Sequence, residues 1–295
     1  MASEGSITAA ADKLCLTQPT VTYHIRTLER NIGVKLLDIR RQKVSLTYAG
    51  TGLFKYVNEI YQQMTSAEKF LEDLKETSLR VGISTTFSAC VASAASAFEK
   101  QFPHVRLVIR SSSSFEVVED VLSSQVDLGV VVDMNYGNPK LKSMTLSGQQ
   151  KMILVASPSS SIAQRGRLSL ASLCGYPLVL GPETSATRQI ILNKIKVGGC
   201  AMPTPIVVEV NSPEWGISLV ENGEGMGLFH EKSVERAISE GRLKALPITS
   251  DISVIADAVL RADAPEHPMA QNFISLVRKC FEANGDKSVV AVAAN

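Results

Sequence analysis

The chain has 295 residues, of which 45% are hydrophobic and 20% are charged, and its formal net charge is +1. At roughly 150 residues per domain, this length predicts about two domains, and the composition excludes disorder over most of the chain. The apolar runs are much shorter than the roughly 18 residues that a membrane span needs, and the first residues lack the pattern of a secretory signal. These features predict a cytoplasmic protein that does not enter a membrane.

The five cysteines are far apart in the sequence, their number is odd, and no two of them form a Cys-x-x-Cys pair. This spacing argues against a disulfide framework or a zinc cluster, and five reduced thiols fit a reducing compartment. His24, His104 and His267 have no metal-ligand partner nearby in the sequence. We therefore expect neither a metal site nor a cofactor.

Residues 6–30 predict two short helices joined by a turn. Ser6 or Thr8 can cap the first helix, while Thr17 can cap the second, which has Pro19 in its first turn. The buried stripe of the second helix is predicted to contain Val21, Ile25 and Leu28. The polar residues on its other faces are of the types that bind base edges and phosphates. The pattern indicates either a helix-turn-helix or a small amphipathic hairpin with a solvated polar face.

The residues that follow favour a winged helix-turn-helix. Leu36-Leu37 and residues 44–47 predict two strands, and the basic residues 38–43 predict a turn between them that contacts the DNA backbone or minor groove. Residues 21–47 contain six Lys or Arg and two Asp or Glu, a basic surface that suits phosphate. The candidate DNA-binding residues are Thr17, Gln18, Pro19, Thr20, Thr22, Tyr23, Arg26, Arg40, Arg41 and Lys43.

The order and spacing of these motifs resemble the DNA-binding signature of the LysR-type bacterial transcriptional regulators. The matching residues are Glu4-Gly5-Ser6-Ile7-Thr8-Ala9-Ala10-Ala11, Leu14, Thr17-Gln18-Pro19-Thr20-Val21-Thr22, Ile25, Leu28-Glu29, Gly33, Leu36-Leu37, Leu46-Thr47 and Ala49-Gly50. Leu37 stands where the family usually has Phe, and Ile39 stands where an Arg is common. Arg40 or Arg41 would then supply the wing contact of that Arg.

The start of the chain also departs from the family pattern. Family members usually have a first helix ahead of the Glu-Gly-Ser turn, whereas this sequence begins almost at that turn. Ile7, Ala10, Leu14, Ile25 and Leu28 would lose a packing partner, which exposes apolar surface to water. We expect that either the start is mis-assigned or the domain, a truncated winged helix-turn-helix, is impaired.

A heptad pattern follows the wing. Apolar residues recur at alternating gaps of four and three positions: Leu53, Val57, Ile60, Met64, Ala67, Leu71 and Leu74. Such a seam predicts a helix that pairs with a second helix, and the alternative is one amphipathic helix packed on its own domain. The resemblance implies a linker helix over residues 51–77 that pairs subunits into a homodimer or a homotetramer.

From Leu79 onward, strands and helices alternate. This order predicts an α/β fold with a parallel sheet, continued in a second series and closed by a returning strand at 252–260 and a helix at 266–283. Two such lobes resemble the periplasmic-binding-protein-like effector domain of the same family. The expected domains are 1–50, 51–77 and 78–290, with lobe one at 78–148 and 250–285 and lobe two at 149–249.

The effector is expected in the cleft between the lobes, at loops that follow strands. Ser84-Thr85-Thr86 and the segment 181–188 each open a helix, and two helix starts with hydroxyls and Arg188 suit a small anion. The alternative is that Thr86 and Ser185 are helix N-caps only. The candidate ligand-binding residues are Ser84, Thr85, Thr86, Ser111, Asp133, Thr184, Ser185, Arg188 and Asn211.

Taken with the resemblance, these features imply an effector-responsive regulator that binds double-stranded operator DNA. RNA polymerase is a further possible partner. The alternatives are an effector-binding dimer with impaired DNA binding, or a two-lobe binding protein or enzyme. An enzyme would need a nucleophile with a base, and the sequence places no His beside Cys90 or Cys174. We therefore predict no catalytic residue and expect Trp215 and His230 to be packing or cleft-lining residues.

Overall fold

The computed structural model describes residues 6–40, 43–73, 78–134, 136–200 and 205–285. It consists of two compact units, Met1–Leu71 and Glu72–Asn295. Within the described residues, no helix is both long enough and apolar enough to cross a bilayer.

The first unit contains three helices and one hairpin: α1 (Ile7–Lys13), α2 (Gln18–Ile32), β1 (Leu37–Arg40), β2 (Lys43–Leu46) and α3 (Tyr48–Asp73). The predicted caps are confirmed, because the Ser6 side chain accepts the Ala9 N–H and the Thr17 side chain accepts the Thr20 N–H. The two strands are antiparallel, with Leu37 opposite Leu46 and Arg40 opposite Lys43. The hairpin is therefore longer than predicted, since residues 38–40 extend a strand instead of forming the turn.

The core of the first unit is small. Val21 is buried as predicted, but Leu28 is 47% exposed and Leu14 is 60% exposed. Leu28 therefore lies outside the predicted buried stripe, whereas the expectation that Leu14 and Leu28 expose apolar surface to water is confirmed. The residue after Leu28, Glu29, is 7% exposed, because α2 turns this face toward the segment that enters the wing.

The second unit is built on two sheets joined by crossing connections. The first lobe contains β3 (Ser78–Ser84), α4 (Ser88–Gln101), β4 (Arg106–Ser112), α5 (Ser114–Leu122), β5 (Leu128–Val132), β6 (Leu141–Thr145), β13 (Ala256–Arg261) and α9 (Ala270–Gly285). Its strand order is β4-β3-β5-β13-β6. Strand β3 is parallel to β4 and β5, while β13 is antiparallel to β5 and β6.

The second lobe contains β7 (Gln150–Ala156), β8 (Leu178–Leu180), α6 (Ala186–Val197), β9 (Ile206–Glu209), α7 (Pro213–Glu221), β10 (Met226–His230), α8 (Glu231–Ser239), β11 (Lys244–Ala245) and β12 (Ile252–Val254). Its strand order is β11-β7-β10-β8-β9, and β12 also pairs with β7. Strand β8 is parallel to β9 and β10, so the chain segments that follow β8 and β9 lie at one edge of the sheet. The predicted α/β class is confirmed.

The returning segment differs from its prediction. One strand was expected over 252–260, but β12 joins the second sheet and β13 joins the first. The chain therefore passes between the lobes at residue 255. Its return to lobe one was expected at residue 250, which instead precedes a strand of the second sheet. The apolar pattern of 252–260 is continuous because both strands are buried, so it does not reveal this break.

Two of the cysteines form a disulfide, so the expectation of five free thiols is wrong. The sulfur atoms of Cys174 and Cys200 are bonded, and their Cα atoms are 6.0 Å apart, a separation that suits a disulfide. Cys174 precedes β8 and Cys200 follows α6, so the bond joins the two ends of the β8–α6 segment. Twenty-six residues separate the two cysteines, and only the fold brings them together.

Candidate functional site

The first candidate surface is the start of α2. Thr17, Gln18, Pro19, Tyr23 and Arg26 are exposed there, and Thr20 and Thr22 are half-buried. The hydroxyls of Thr17 and Thr20 are 2.8 Å apart. The predicted residues therefore lie together at the start of α2, and most of them are exposed to solvent.

The wing residues are described less fully. Arg40 and Lys43 face each other as the last pair of the hairpin, and Arg41 lies outside the described residues. The pairing places the backbone of Arg40 and Lys43 at the end of the two-stranded ladder.

Glu29 connects α2 to this hairpin, a role that the sequence reasoning missed. Its Oε1 accepts the N–H of Leu36 at 2.8 Å and that of Leu37 at 3.2 Å, while its Oε2 accepts Lys35 Nζ at 2.8 Å. The hydrogen bond from Lys35 is the main cause that lowers the pKa of this carboxyl, and burial opposes it. No periodic pattern marks such a residue, because the partners belong to the next element.

Gly50 completes the junction at the start of α3. The Thr47 hydroxyl donates to the Lys35 carbonyl at 2.7 Å and accepts the Gly50 N–H at 3.0 Å. A Cβ on Gly50 would lie 2.0 Å from the Leu36 carbonyl oxygen, so any other residue would force the backbone apart. Close packing therefore explains the glycine that ends the Leu46-Thr47-x-Ala49-Gly50 motif.

The second candidate site is an open cleft in the second unit. Thr85 and Thr86 line it from the first lobe, and Ser185, Arg188 and Asn211 line it from the second. The two lobes touch here, because the Thr86 and Thr187 hydroxyl oxygens are 2.7 Å apart. Thr187, which the sequence reasoning did not select, lies in the first turn of α6.

Four predicted ligand-binding residues do not line this cleft. Ser84 is buried and accepts a hydrogen bond from Ser114 at 3.0 Å, since as the last residue of β3 it faces the start of α5. The Ser111 hydroxyl is 3.0 Å from that of Ser88, at the edge of the first sheet. Thr184 is exposed to solvent. Asp133 follows β5, where its charge helps raise the pKa of buried Asp257.

Arg188 lies on the first turn of α6 with its side chain only 10% exposed. Its Nη1 donates to the Gly181 carbonyl at 2.9 Å and to Glu209 Oε2 at 2.5 Å. Glu183, in the loop before α6, is 88% exposed, and its Oε1 is 3.9 Å from Arg188 Nη2. The sequence analysis did not select Glu209 as a site residue. The one feature that could have indicated it is its position at the end of β9, two residues before Asn211.

His230 is buried beside the cleft and does come close to Cys90. Its Nδ1 accepts the Lys232 N–H at 3.2 Å, so its Nε2 carries the proton and donates to Gln150 Oε1 at 3.3 Å. Cys90 Sγ is 3.6 Å from Nδ1. Burial lowers the pKa of His230 to about 4, which keeps the ring neutral near pH 7.

Comparisons with known proteins match both units of the chain. The LysR substrate binding domain model matches residues 72–281, and the model of the bacterial regulatory helix-turn-helix protein, lysR family, matches residues 1–51. The uncharacterized transcriptional regulator YwqM of Bacillus subtilis is 27% identical over 94% of this chain and 94% of its own.

Two solved structures share the fold. The Synechocystis CcmR regulatory domain in complex with 2-PG has a TM-score of 0.62 and 14% identity, over 70% of this chain and 97% of its own. Full-length CbnR complexed with its target DNA has a TM-score of 0.54 and 20% identity, over 95% and 96% of the two chains. Because the family models cover both units, the chain belongs to the LysR family of bacterial DNA-binding transcriptional regulators, with a C-terminal effector-binding domain.

Proposed function

We propose that a small anion acts as the effector by binding in the cleft between Thr86 of the first lobe and the start of α6. The observation that carries this proposal is the 2.7 Å contact between the Thr86 and Thr187 hydroxyls, which joins the two lobes at a helix N-terminus. A ligand that bonds to both sides changes the relative free energy of lobe arrangements, and that difference is what an effector needs.

The chemistry of the cleft favours an anion. Thr85, Thr86 and Ser185 supply hydroxyls, and the first N–H groups of α6 lack partners within the helix and lie at its positive end. Arg188 adds a guanidinium. The CcmR domain, which shares this fold, has been solved with the small ligand 2-PG, so 2-PG belongs in a first panel of probes.

The DNA-binding part of the proposal uses the exposed polar face of α2 and the wing. We propose Gln18 and Arg26 as base or phosphate contacts, with Thr17, Thr20, Thr22 and Tyr23 beside them. Pairing of subunits through α3 would bring two such surfaces to two half-sites. The exposed seam residues Val57, Ile60 and Met64 support that pairing. We propose a cytoplasmic location, where bacterial operators lie.

We assign the Cys90–His230 contact to packing instead of catalysis. Cys90 is 2% exposed and His230 is 4% exposed, so a substrate would have no access to the thiol in this arrangement. A neutral imidazole whose Nδ1 already accepts the Lys232 N–H is also a poor acceptor for the thiol proton. A regulator without enzymatic activity is thus the function that we propose.

The test is a thermal-shift screen of small acids, including 2-PG, with the full chain. A true effector should raise the melting temperature in a concentration-dependent way. Thr86→Val and Ser185→Ala should each reduce that shift because each removes a hydroxyl from the cleft. Ser111→Ala is the matched control, since its hydroxyl bonds to Ser88 outside the cleft.

Two results would contradict the proposal. A tight ligand whose shift is unchanged by both Thr86→Val and Ser185→Ala would bind elsewhere. An apolar ligand that needs both hydroxyls would keep the cleft but remove the argument for an anion.

A further inference from the structure

The cation of the cleft already has a carboxylate partner. Among the described residues that line the cleft, Arg188 is the one Lys or Arg. Its Nη1 is 2.5 Å from Glu209 Oε2, and its side chain is 10% exposed. Glu209 ends β9, and Val210 and Asn211, which follow it, line the cleft. The carboxylate that neutralises Arg188 is therefore attached directly to the wall of the site.

We propose that Glu209 is an internal competitor of the effector for Arg188, and that the cleft consequently selects small acids with two negative charges. Phosphate monoesters and dicarboxylates share this chemistry. The inference rests on the proposed function, because it names the class of anion for the same cleft. Effector binding is then an exchange of one anion for another at a single guanidinium.

The preference for two charges follows from the exchange. A ligand with one carboxylate only replaces the carboxylate of Glu209, which is tethered beside Arg188 at a high effective concentration. A dianion brings a second charge and more acceptor oxygens. These can accept hydrogen bonds from the Thr86 and Ser185 hydroxyls and from the first N–H groups of α6. Only the dianion therefore gains contacts that Glu209 does not already make.

Glu183 provides a matched comparison. It also faces Arg188, but its Oε1 is 3.9 Å from Nη2 and its side chain is 88% exposed. Solvent and salt weaken an interaction of that kind. Removal of its charge should thus change anion binding far less than removal of the charge on Glu209.

A single tryptophan lies close in sequence to Glu209 and can serve as a fluorescent probe of the anion exchange. Trp215 is the single tryptophan and lies in the first turn of α7, where its backbone N–H donates to the Ser212 hydroxyl at 3.3 Å. Ser212 lines the cleft three residues after Glu209. Glu209 and Trp215 lie six positions apart on one segment, so we expect the release of Glu209 from Arg188 to change the fluorescence of Trp215.

The experiment titrates the full chain with sulfate, a dianion, and with acetate, a monoanion, at constant ionic strength set with chloride. We expect wild type to respond to sulfate and not to acetate at equal concentration. Glu209→Gln should lower the Kd for sulfate about tenfold, the effect of one close charge pair, and should make acetate binding measurable. Glu183→Gln should stay within about twofold of wild type. The double variant Arg188→Gln/Glu209→Gln should lose the gain.

Several results would overturn the inference. If Glu209→Gln binds sulfate no more tightly than wild type, Glu209 positions Arg188 and does not compete. If wild type binds acetate as tightly as sulfate, or if no variant binds either anion, the selection of dianions is wrong. The proposed function is tested separately: if the screened ligand depends on Thr86 and Ser185 while Glu209→Gln has no effect, only the competitor role fails.

Discussion

In the first unit, a single side chain connects α2 to the wing hairpin. The Glu29 carboxylate accepts two backbone N–H groups of the wing entry and the ammonium of Lys35. Hydrogen bonds to a charged acceptor are the stronger kind, and a buried donor without a partner costs about 1–3 kcal/mol. Glu29 therefore fixes the hairpin on α2.

Glu29→Gln should speed amide exchange of Leu36 and Leu37 about tenfold at pH 7, since each tenfold step corresponds to about 1.4 kcal/mol. The pKa of Glu29 is lowered in the folded state, so its stabilisation is present above the unfolded value of 4.5 and is lost as the pH falls through the folded pKa. Hydrogen exchange of wild type and variant, compared at each pH, should therefore converge only below pH 4.5, as the pH falls through the folded pKa of Glu29.

The exposed Glu59, on α3, supplies the control. Glu59→Gln should leave the exchange of residues 36 and 37 unchanged. A Glu29→Gln effect of the same size at every pH would show that size and packing, not charge, explain the contact.

At the scale of elements, α3 carries a seam that its own unit does not cover. Val57, Ile60 and Met64 follow the heptad pattern and are 49%, 60% and 57% exposed. A stripe of this kind on a helix of 26 residues is long enough for a coiled-coil pair. The exposed apolar seam is therefore the basis on which we expect α3 to pair.

Ile60→Lys should dissociate the dimer, because pairing would bury a charge without a partner. Sedimentation should show a fall in molecular mass by half at micromolar concentration. Asn58→Lys adds the same charge at an exposed position outside the seam and should leave the dimer intact. An intact Ile60→Lys dimer would place the pairing surface elsewhere.

At the scale of the whole molecule, the effector-binding unit depends on two lobes that meet at the cleft. The strands β12 and β13 show that a single residue, Ile255, separates the two sheets in the returning segment. Thr86 and Thr187 join the lobes again at the cleft. Anion binding and lobe arrangement should thus be coupled, because the Thr86 hydroxyl serves both.

The variant Thr86→Cys/Thr187→Cys should test this coupling. The two hydroxyls are 2.7 Å apart, so the introduced thiols can form a disulfide that fixes the lobes in contact. Oxidation should weaken sulfate binding at least about tenfold relative to the same protein after reduction, because the bridge prevents the ligand from entering between the lobes.

Wild type treated with the same oxidant is the control for the Cys174–Cys200 disulfide and the other cysteines. Equal sulfate affinity of the oxidised and reduced double variant would show that the ligand does not separate Thr86 from Thr187.

The sequence by itself determined what depends on neighbours along the chain. The caps Ser6 and Thr17 bond to groups three residues away, and the heptad seam of α3 repeats within one helix. The alternation of strands and helices was sufficient for the α/β class, and the fixed spacing of the Leu14–Gly50 motifs pointed to the LysR family. Short-range hydrogen bonds and helical periodicity are encoded locally, so they can be read without the fold.

Only the tertiary structure decided which distant side chains meet. Glu209 reaches Arg188 across 21 positions because β8 and β9 pair in parallel, and Cys90 meets His230 across 140 positions because α4 packs beside α8. The same long-range packing set the break between β12 and β13 and left Ser84 facing α5 instead of the cleft. Such contacts depend on strand order and on the arrangement of the lobes, and no local pattern in the sequence records either.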